Sequence, residues 1–250
     1  MSYRCFAQFY DILTQNIPYR ARGEYFHALF QRYGLPGNIV LDLACGTGSL
    51  TEALASLGYD MIGVDGSEEM LAEAMNKKYD AQSNTLYLCQ DMESLDLYGT
   101  VDGCVCALDS LNHITDYGAL SRAVARVSLF LAPGGVFLFD VNTVYKHEQI
   151  LSDRAYVYDL DDVCCVWQNS VCHEKIIDIT LDFFARRDDG LYERESEAFS
   201  ERAYTHGEIC ALLQKNGLTL LDCFGDDSFA PPKDDAQRVI YAARSAKKKG

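Results

Sequence analysis

Two glycines close an apolar run that carries an acid: Val40-Leu41-Asp42-Leu43-Ala44-Cys45-Gly46-Thr47-Gly48. Lacking a Cβ, Gly46 and Gly48 let a strand turn sharply into a helix and let a ligand approach the backbone. The third glycine of a dinucleotide fingerprint is missing, because Thr51 stands at that position. The Gly-Lys-Ser/Thr of a phosphate loop is missing too. The turn therefore suits a nucleoside without a pyrophosphate. A second apolar run, Met61-Ile62-Gly63-Val64, ends on Asp65, seventeen residues after Gly48. A carboxylate at a strand tip accepts hydrogen bonds from both ribose hydroxyls.

Further along, His113 follows a fourth apolar run and is the leading candidate for a base or an acceptor-binding group. Asp109 is an acidic candidate beside it, and Tyr10 a hydroxyl that orients a nucleophile. His173 and His206 lie further on, and His206 reads as a helix-capping residue. Trp167, Tyr192 and Phe199 are either pocket or core aromatics. An acidic stretch holds Asp159, Asp161, Asp162, Glu193, Glu195, Glu197 and Glu201. On a strand, Glu193, Glu195 and Glu197 share a face, which is either solvated or favours a cationic acceptor.

These groups need a frame. Residues 38–44, 60–64, 85–90, 102–108 and 136–141 read as strands alternating with helices over 48–57, from Ser67, and over 117–131. Ser67 with Glu68 and Glu69 behind it makes a helix start. Pro133-Gly134-Gly135 ends the 117–131 helix. Such alternation predicts a parallel sheet covered on both faces. Residues 3–33 read as two helices broken at Pro18. Between Asn142 and Tyr204 the period becomes two, with Asp189-Gly190 as a turn, which predicts an antiparallel meander of three or four strands. A helix over 205–216 stops at Gly217, and residues 218–224 and 237–243 close the sheet. The expected fold is α/β: a doubly wound, mostly parallel seven-stranded sheet with a small antiparallel insertion. Residues 1–141 and 205–250 would form the ligand-binding domain, 1–34 its helical cover, and 142–204 the lid.

With 250 residues, 48% hydrophobic, the chain suffices for one substantial core. No apolar run reaches eighteen residues and the N-terminus lacks a secretory pattern, so a cytoplasmic protein without a membrane partner is expected. The ten cysteines form no CxxC pair and read as small buried hydrophobes rather than disulfides or metal ligands; no metal is expected. A formal net charge of -15 argues against nucleic acid. The one basic run is Lys247-Lys248-Lys249. The meander is compatible with a homodimer paired across a two-fold axis.

Taken in order, LDLACGTG (41–48), MIGVDGSEEML (61–71), CQDMESL (89–95), VDGCVCALDSLNHI (101–114) and LAPGGVFLFDVN (131–142) resemble the class I S-adenosylmethionine-dependent methyltransferases. The resemblance covers residues 3–141 and 205–243. It implies S-adenosylmethionine as cofactor and S-adenosylhomocysteine as product. It implies that Asp42 and the backbone of Ala44, Cys45, Gly46 and Gly48 lie along the methionine moiety, and that Asp65 holds the ribose. Gly66, Ser67 and Met70 would border the adenine; Asp91 would accept from its amino group while Met92 donates its N–H. A carbonyl near Ala107 and Leu108 would meet the ammonium, and Tyr10 and Tyr19 would close over the cofactor. The inserted sheet resembles that of enzymes methylating the amines of sugars or amino acids. It carries no motif that fixes the acceptor, so a small-molecule amine or hydroxyl stands as the first expectation. An RNA or protein methyltransferase, a non-catalytic cofactor-binding protein and, more distantly, a nicotinamide dehydrogenase stand as alternatives.

Overall fold

The computed structural model describes residues 4–225 and 228–247. Tyr3 and the tail residues Lys248 and Lys249 lie outside the described residues, as does the side chain of Cys5. Two helices lead: α1 (Arg4–Leu13) and α2 (Tyr19–Tyr33), separated at Pro18, which cannot continue α1 and opens α2. Then come β1 (Ile39–Leu43), α3 (Ser49–Ser56), β2 (Asp60–Asp65), α4 (Glu68–Ala81), β3 (Leu86–Cys89), β4 (Val101–Cys106), α5 (Tyr117–Phe130) and β5 (Leu131–Asn142). After β5 follow β6 (Ala155–Asp159), β7 (Val163–Asn169), β8 (Ile176–Arg186), β9 (Tyr192–Arg202), α6 (His206–Lys215), β10 (Leu218–Gly225) and β11 (Arg238–Ser245).

Seven strands form one sheet in the order β10-β11-β5-β4-β1-β2-β3, with β11 antiparallel to β5 and β10 antiparallel to β11. The neighbours β1 and β4 are parallel and mark the point where strand order reverses, so the crevice beyond their carboxyl ends is the natural ligand site. One apolar layer packs beneath α5 and α6, with Phe137 and Phe139 at its centre, and a second beneath α2, with Phe26 and Phe30. Helix starts follow their signals: Ser67 accepts from Met70 N at 3.2 Å, and Asp116 accepts from Ala119 N at 2.7 Å.

The meander is a separate antiparallel sheet in the order β6-β7-β8-β9. Ile177, Ile179, Leu181 and Phe183 of β8 are buried, and Phe9 and Leu13 of α1 pack against the same cluster. Phe9 and Phe183 stack at 6.0 Å.

Three local expectations need correction. Helix α5 ends at Phe130, and Pro133-Gly134-Gly135 lies inside β5 rather than ahead of it; the register jumps there, so proline occupies an irregular stretch where no ladder bond is lost. A π-helical turn, Lys146–Leu151, precedes the meander where strand periodicity was expected. Cys89 is exposed, because β3 is the sheet edge, whereas Cys104 and Cys106 are fully buried as expected. Among the described residues no helix is long and apolar enough to cross a membrane.

Candidate functional site

The crevice past β1 and β4 opens into a cavity of about 720 Å³, within the ~300–1,000 Å³ typical of small-ligand sites. Ala44, Gly46, Asp65, Gly66, Ser67, Met70, Asp91 and Met92 line one side. Tyr10, Leu108 and His113 line the other. A smaller hollow of about 30 Å³ continues under Tyr10 and Tyr19, bordered by Asp42, Cys45, Gly46 and Ala107.

The cradle side is made mostly of backbone. Ala44, Gly46 and Gly48 all have positive φ, 58°, 53° and 75°, and their turn is closed by its own backbone, with Cys45 N donating to Val64 O and Gly48 N to Cys45 O, each at 3.0 Å. A Cβ at Gly46 would meet nothing within 4 Å, so open space lies where a ligand would touch the chain. Gly48 differs: a Cβ there would come 2.4 Å from the Tyr87 hydroxyl and 2.9 Å from Ala74, so this glycine serves packing of α3 against its neighbours. Asp65 fixes the turn. Its Oδ2 accepts from Gly46 N at 2.8 Å and its Oδ1 from Ser67 N at 2.9 Å, leaving lone pairs for a diol. Burial raises its carboxyl above the usual range, while these N–H groups pull it down. Thr51, where a dinucleotide turn has glycine, donates to Asp42 Oδ2 at 2.6 Å. Burial pushes the Asp42 carboxyl up to about 7. Asp91 is exposed, makes no side-chain hydrogen bond among the described residues, and lies 3.1 Å from where a Gly66 Cβ would sit. An uncommitted carboxylate, an open glycine backbone and a satisfied but unsaturated Asp65 fit an adenosine with a diol and an exocyclic amine.

Tyr10 walls both hollows and hydrogen bonds Tyr19, whose hydroxyl donates to Thr14 Oγ1 at 3.2 Å. Burial raises the Tyr10 phenol well above its ordinary value, so it stays a neutral donor rather than a base. Helix α1 is tied down beside it: Asp11 accepts from Thr47 Oγ1 at 2.7 Å and pairs with Lys77 of α4 at 2.5 Å. Ala107 O already accepts from Ser110 Oγ at 2.8 Å, which leaves one lone pair for another donor.

The opposite wall rests on buried charge that sequence reasoning missed. Leu108 and Asp109 both adopt left-handed backbone, φ 58° and 55°, uncommon for residues with a Cβ. Asp140, fully buried in β5, holds them: its oxygens accept from Leu108 N at 2.9 Å and Asp109 N at 2.7 Å. Arg22 of α2 pairs with Asp140 at 2.8 Å, and Arg238 of β11 bridges Asp140 and Asp109, reaching Asp109 at 2.7 Å. Burial alone would raise the Asp109 carboxyl, but Arg238 and Lys146 outweigh it and hold it well below the ordinary range. Asp109, an acidic candidate in the sequence, is thus an ion-paired strut. The one hint in the sequence was a lone acid inside the apolar run Val136 to Val141.

His113 ends a 3₁₀ turn, Ser110–His113, and lies against Phe199 with ring centres 5.0 Å apart. Buried Asn112 anchors that turn by donating to Arg202 O at 2.9 Å and accepting from Asn142 N at 3.0 Å. Glu201 and His147 lie behind His113, and neither was singled out as a site residue. Other candidates fall elsewhere. Tyr192 is 58% exposed at the sheet tip, and Trp167 packs on Tyr156 at 6.0 Å. His173 is exposed. His206 does not cap α6: Thr205 does, through a capping box with Glu208, and His206 stacks on Tyr241.

Known proteins share this frame. A family model described as a methyltransferase domain matches residues 40–135. A provisionally named methyltransferase of Geobacillus sp. (strain WCH70) is 31% identical, with 98% of this chain and 100% of that one aligned. A crystal structure of an S-adenosylmethionine-dependent methyltransferase from Clostridium acetobutylicum ATCC 824 superposes with a TM-score of 0.89 at 33% identity, covering 98% of this chain and 99% of that one. A sugar N-methyltransferase from Streptoalloteichus sp. ATCC 53650 shares the fold, with a TM-score of 0.79 at 21% identity over 95% of this chain and 93% of that one.

Proposed function

The chain belongs to the S-adenosylmethionine-dependent methyltransferases, and we propose that its acceptor is a small molecule offering an amine or a hydroxyl. The observation that carries this reading is the cavity itself. One wall is the cradle of Gly46 and Asp65, the other is Tyr10 and His113, and Phe199 of the inserted sheet lies directly on His113. A site of that size suits a small acceptor better than a polymer, and a net charge of -15 disfavours nucleic acid. The fold is shared with a sugar N-methyltransferase, which supports an amine as the first acceptor to try. In this reading residues 142–204 form the acceptor lid, residues 1–141 and 205–250 the cofactor domain, and the enzyme works in the cytoplasm.

When bound, S-adenosylmethionine supplies a methyl group already activated on a sulfonium. The protein is left to align, shield and move a proton. Asp65 would hold the ribose hydroxyls and Asp91 the adenine amine, with Gly66, Ser67, Met70 and Met92 along the ring. Asp42, the backbone from Ala44 to Gly48 and the carbonyls near Ala107 and Leu108 would hold the amino-acid end. Tyr10 and Tyr19 would cover the cofactor and exclude water, and the Tyr10 hydroxyl would orient the acceptor. His113 would receive the proton that the acceptor releases.

Transfer of labelled methyl from S-adenosylmethionine to panels of amino sugars, amino acids, phenols, tRNA and protein tests this directly. Labelled amine or hydroxyl products are expected. Label found only in tRNA or protein would overturn the acceptor assignment.

A further inference from the structure

Two histidines from separate elements converge on one buried carboxylate. Glu201, 4% exposed near the end of β9, has Oε1 3.6 Å from His113 Nε2 and Oε2 3.6 Å from His147 Nε2. His147 belongs to the π-helical turn Lys146–Leu151, a rare form found disproportionately at functional sites. Its ring is fully buried.

The proton positions follow from the partners. His147 Nδ1 lies 3.2 Å from the backbone oxygen of Lys175, which can only accept, so Nδ1 carries a hydrogen. In a neutral ring, Nε2 would then be a bare lone pair. It is buried, has no hydrogen-bond partner, and faces a carboxylate oxygen. Two acceptors face to face in a dry interior are costly, and a proton between them removes the conflict. His113 has the complementary arrangement. Its Nε2 faces Glu201, and its Nδ1 is a second buried nitrogen without a partner.

The surrounding charge favours a proton over a metal ion. Asp109, His113 and Glu201 offer atoms within 4.8 Å of one another. Yet Asp109 and Asp140 are already paired with Arg22 and Arg238, and Lys146, whose Nζ donates to Asn142 Oδ1 at 2.9 Å, lies within reach of the fields of Asp109 and Glu201. Asp65, from the end of β2, is the remaining acid that senses His113. A divalent cation would add two charges to this buried, balanced set, whereas a proton adds one.

We propose that Glu201 is the positioning residue of the acceptor site: it holds a proton shared with His147 on one side and faces His113 Nε2 on the other, which fixes the His113 ring at the cavity wall. This deepens the proposed transfer and rests on it for its chemical consequence. As the acceptor nitrogen or oxygen gains its bond to the methyl carbon and the carbon–sulfur pair returns to sulfur, the acceptor's N–H or O–H proton passes to the His113 ring that Glu201 positions. The Glu201 carboxylate, 3.6 Å from that ring, then faces the imidazolium. Glu201 itself touches neither reactant.

The test is the ¹⁵N spectrum of histidine-labelled protein at pH 7 with S-adenosylhomocysteine bound, with signals assigned through His147→Gln and His113→Gln. The wild type is expected to show both His147 nitrogens protonated and His113 as the Nε2–H tautomer. In Glu201→Gln the His147 Nε2 proton is lost and the His113 tautomers mix, and Glu201→Asp restores at least part of the wild-type pattern. A wild-type His147 with one protonated nitrogen overturns the proposal even if no variant folds, and so does a Glu201→Gln spectrum identical to the wild type. No acceptor is present in this experiment. Its failure would therefore remove the shared proton while the methyl-transfer panel judges the acceptor class separately.

Discussion

The two walls of the cavity are built by different rules. The cradle wall comes mostly from one stretch, Asp42 to Met70, with Asp91 and Met92 added after β3, and its backbone is tied together by one carboxylate, Asp65. The opposite wall is formed by α1 and the segment after β4, and it is backed by buried charged side chains of α2, β5, the π-helical turn, β9 and β11. A ligand common to a whole family can be met by backbone geometry that tolerates change around it. An acceptor peculiar to one protein needs side chains, and burying their charges links that wall to the stability of the entire fold.

That contrast can be broken at its strongest point first. Replacing Asp140 with Ala leaves Arg22 and Arg238 buried without their shared partner and frees the left-handed Leu108–Asp109 segment. The expected cost is ~3–5 kcal/mol of unfolding free energy, read by urea denaturation. A loss below 1 kcal/mol would mean that this wall is no more integral to the fold than the cradle.

Next come the two glycines. Gly48→Ala drives a Cβ into Tyr87 and Ala74 and keeps a positive φ, so ~1–3 kcal/mol of stability should be lost. Gly46→Ala enters open space, so the fold should lose only the ~1–2 kcal/mol of the left-handed backbone. Its larger effect should be at least tenfold weaker binding of S-adenosylhomocysteine, measured by calorimetry. Equal behaviour of the two variants would erase the distinction between a packing glycine and a ligand-facing one.

A smaller effect sharpens the comparison inside the cradle. Asp42 has its carboxyl raised to about 7, so below that pH it is protonated and cannot pair with a ligand ammonium. S-adenosylhomocysteine affinity should therefore rise with pH between 6 and 8, by at most tenfold per unit, and Asp42→Asn should flatten the profile. A wild-type affinity independent of pH over that range would disconnect Asp42 from the amino-acid end.

Legibility divides along the same line. The strands, the glycine turn, the Ser67 helix start and Asp65 could be read because each depends on neighbours within twenty residues. The meander announced itself through the alternation of Ile177, Ile179, Leu181 and Phe183. Arg22, Asp140 and Arg238 could not be read as a unit, because each is a lone charge in a different element and only the folded sheet brings them together. Glu201 was hidden differently. It lies on the face of β9 that carries Glu193, Glu195 and Glu197, but where those three run toward the open tip, Glu201 reaches the covered end of the sheet. His147 stood in a segment whose π-helical turn has no periodic signature. Thr51 gave a correct negative signal, and only its bond to Asp42 supplies the positive one.

The central claim is that the Gly46 turn and Asp65 together hold a nucleoside lacking a pyrophosphate. Calorimetry of the wild type and Asp65→Ala with S-adenosylmethionine, S-adenosylhomocysteine and NAD tests it most directly. The account predicts binding of the first two and not of NAD, with ~1–3 kcal/mol lost in the variant. Binding of NAD alone, or an affinity for S-adenosylhomocysteine unchanged by Asp65→Ala, would contradict it.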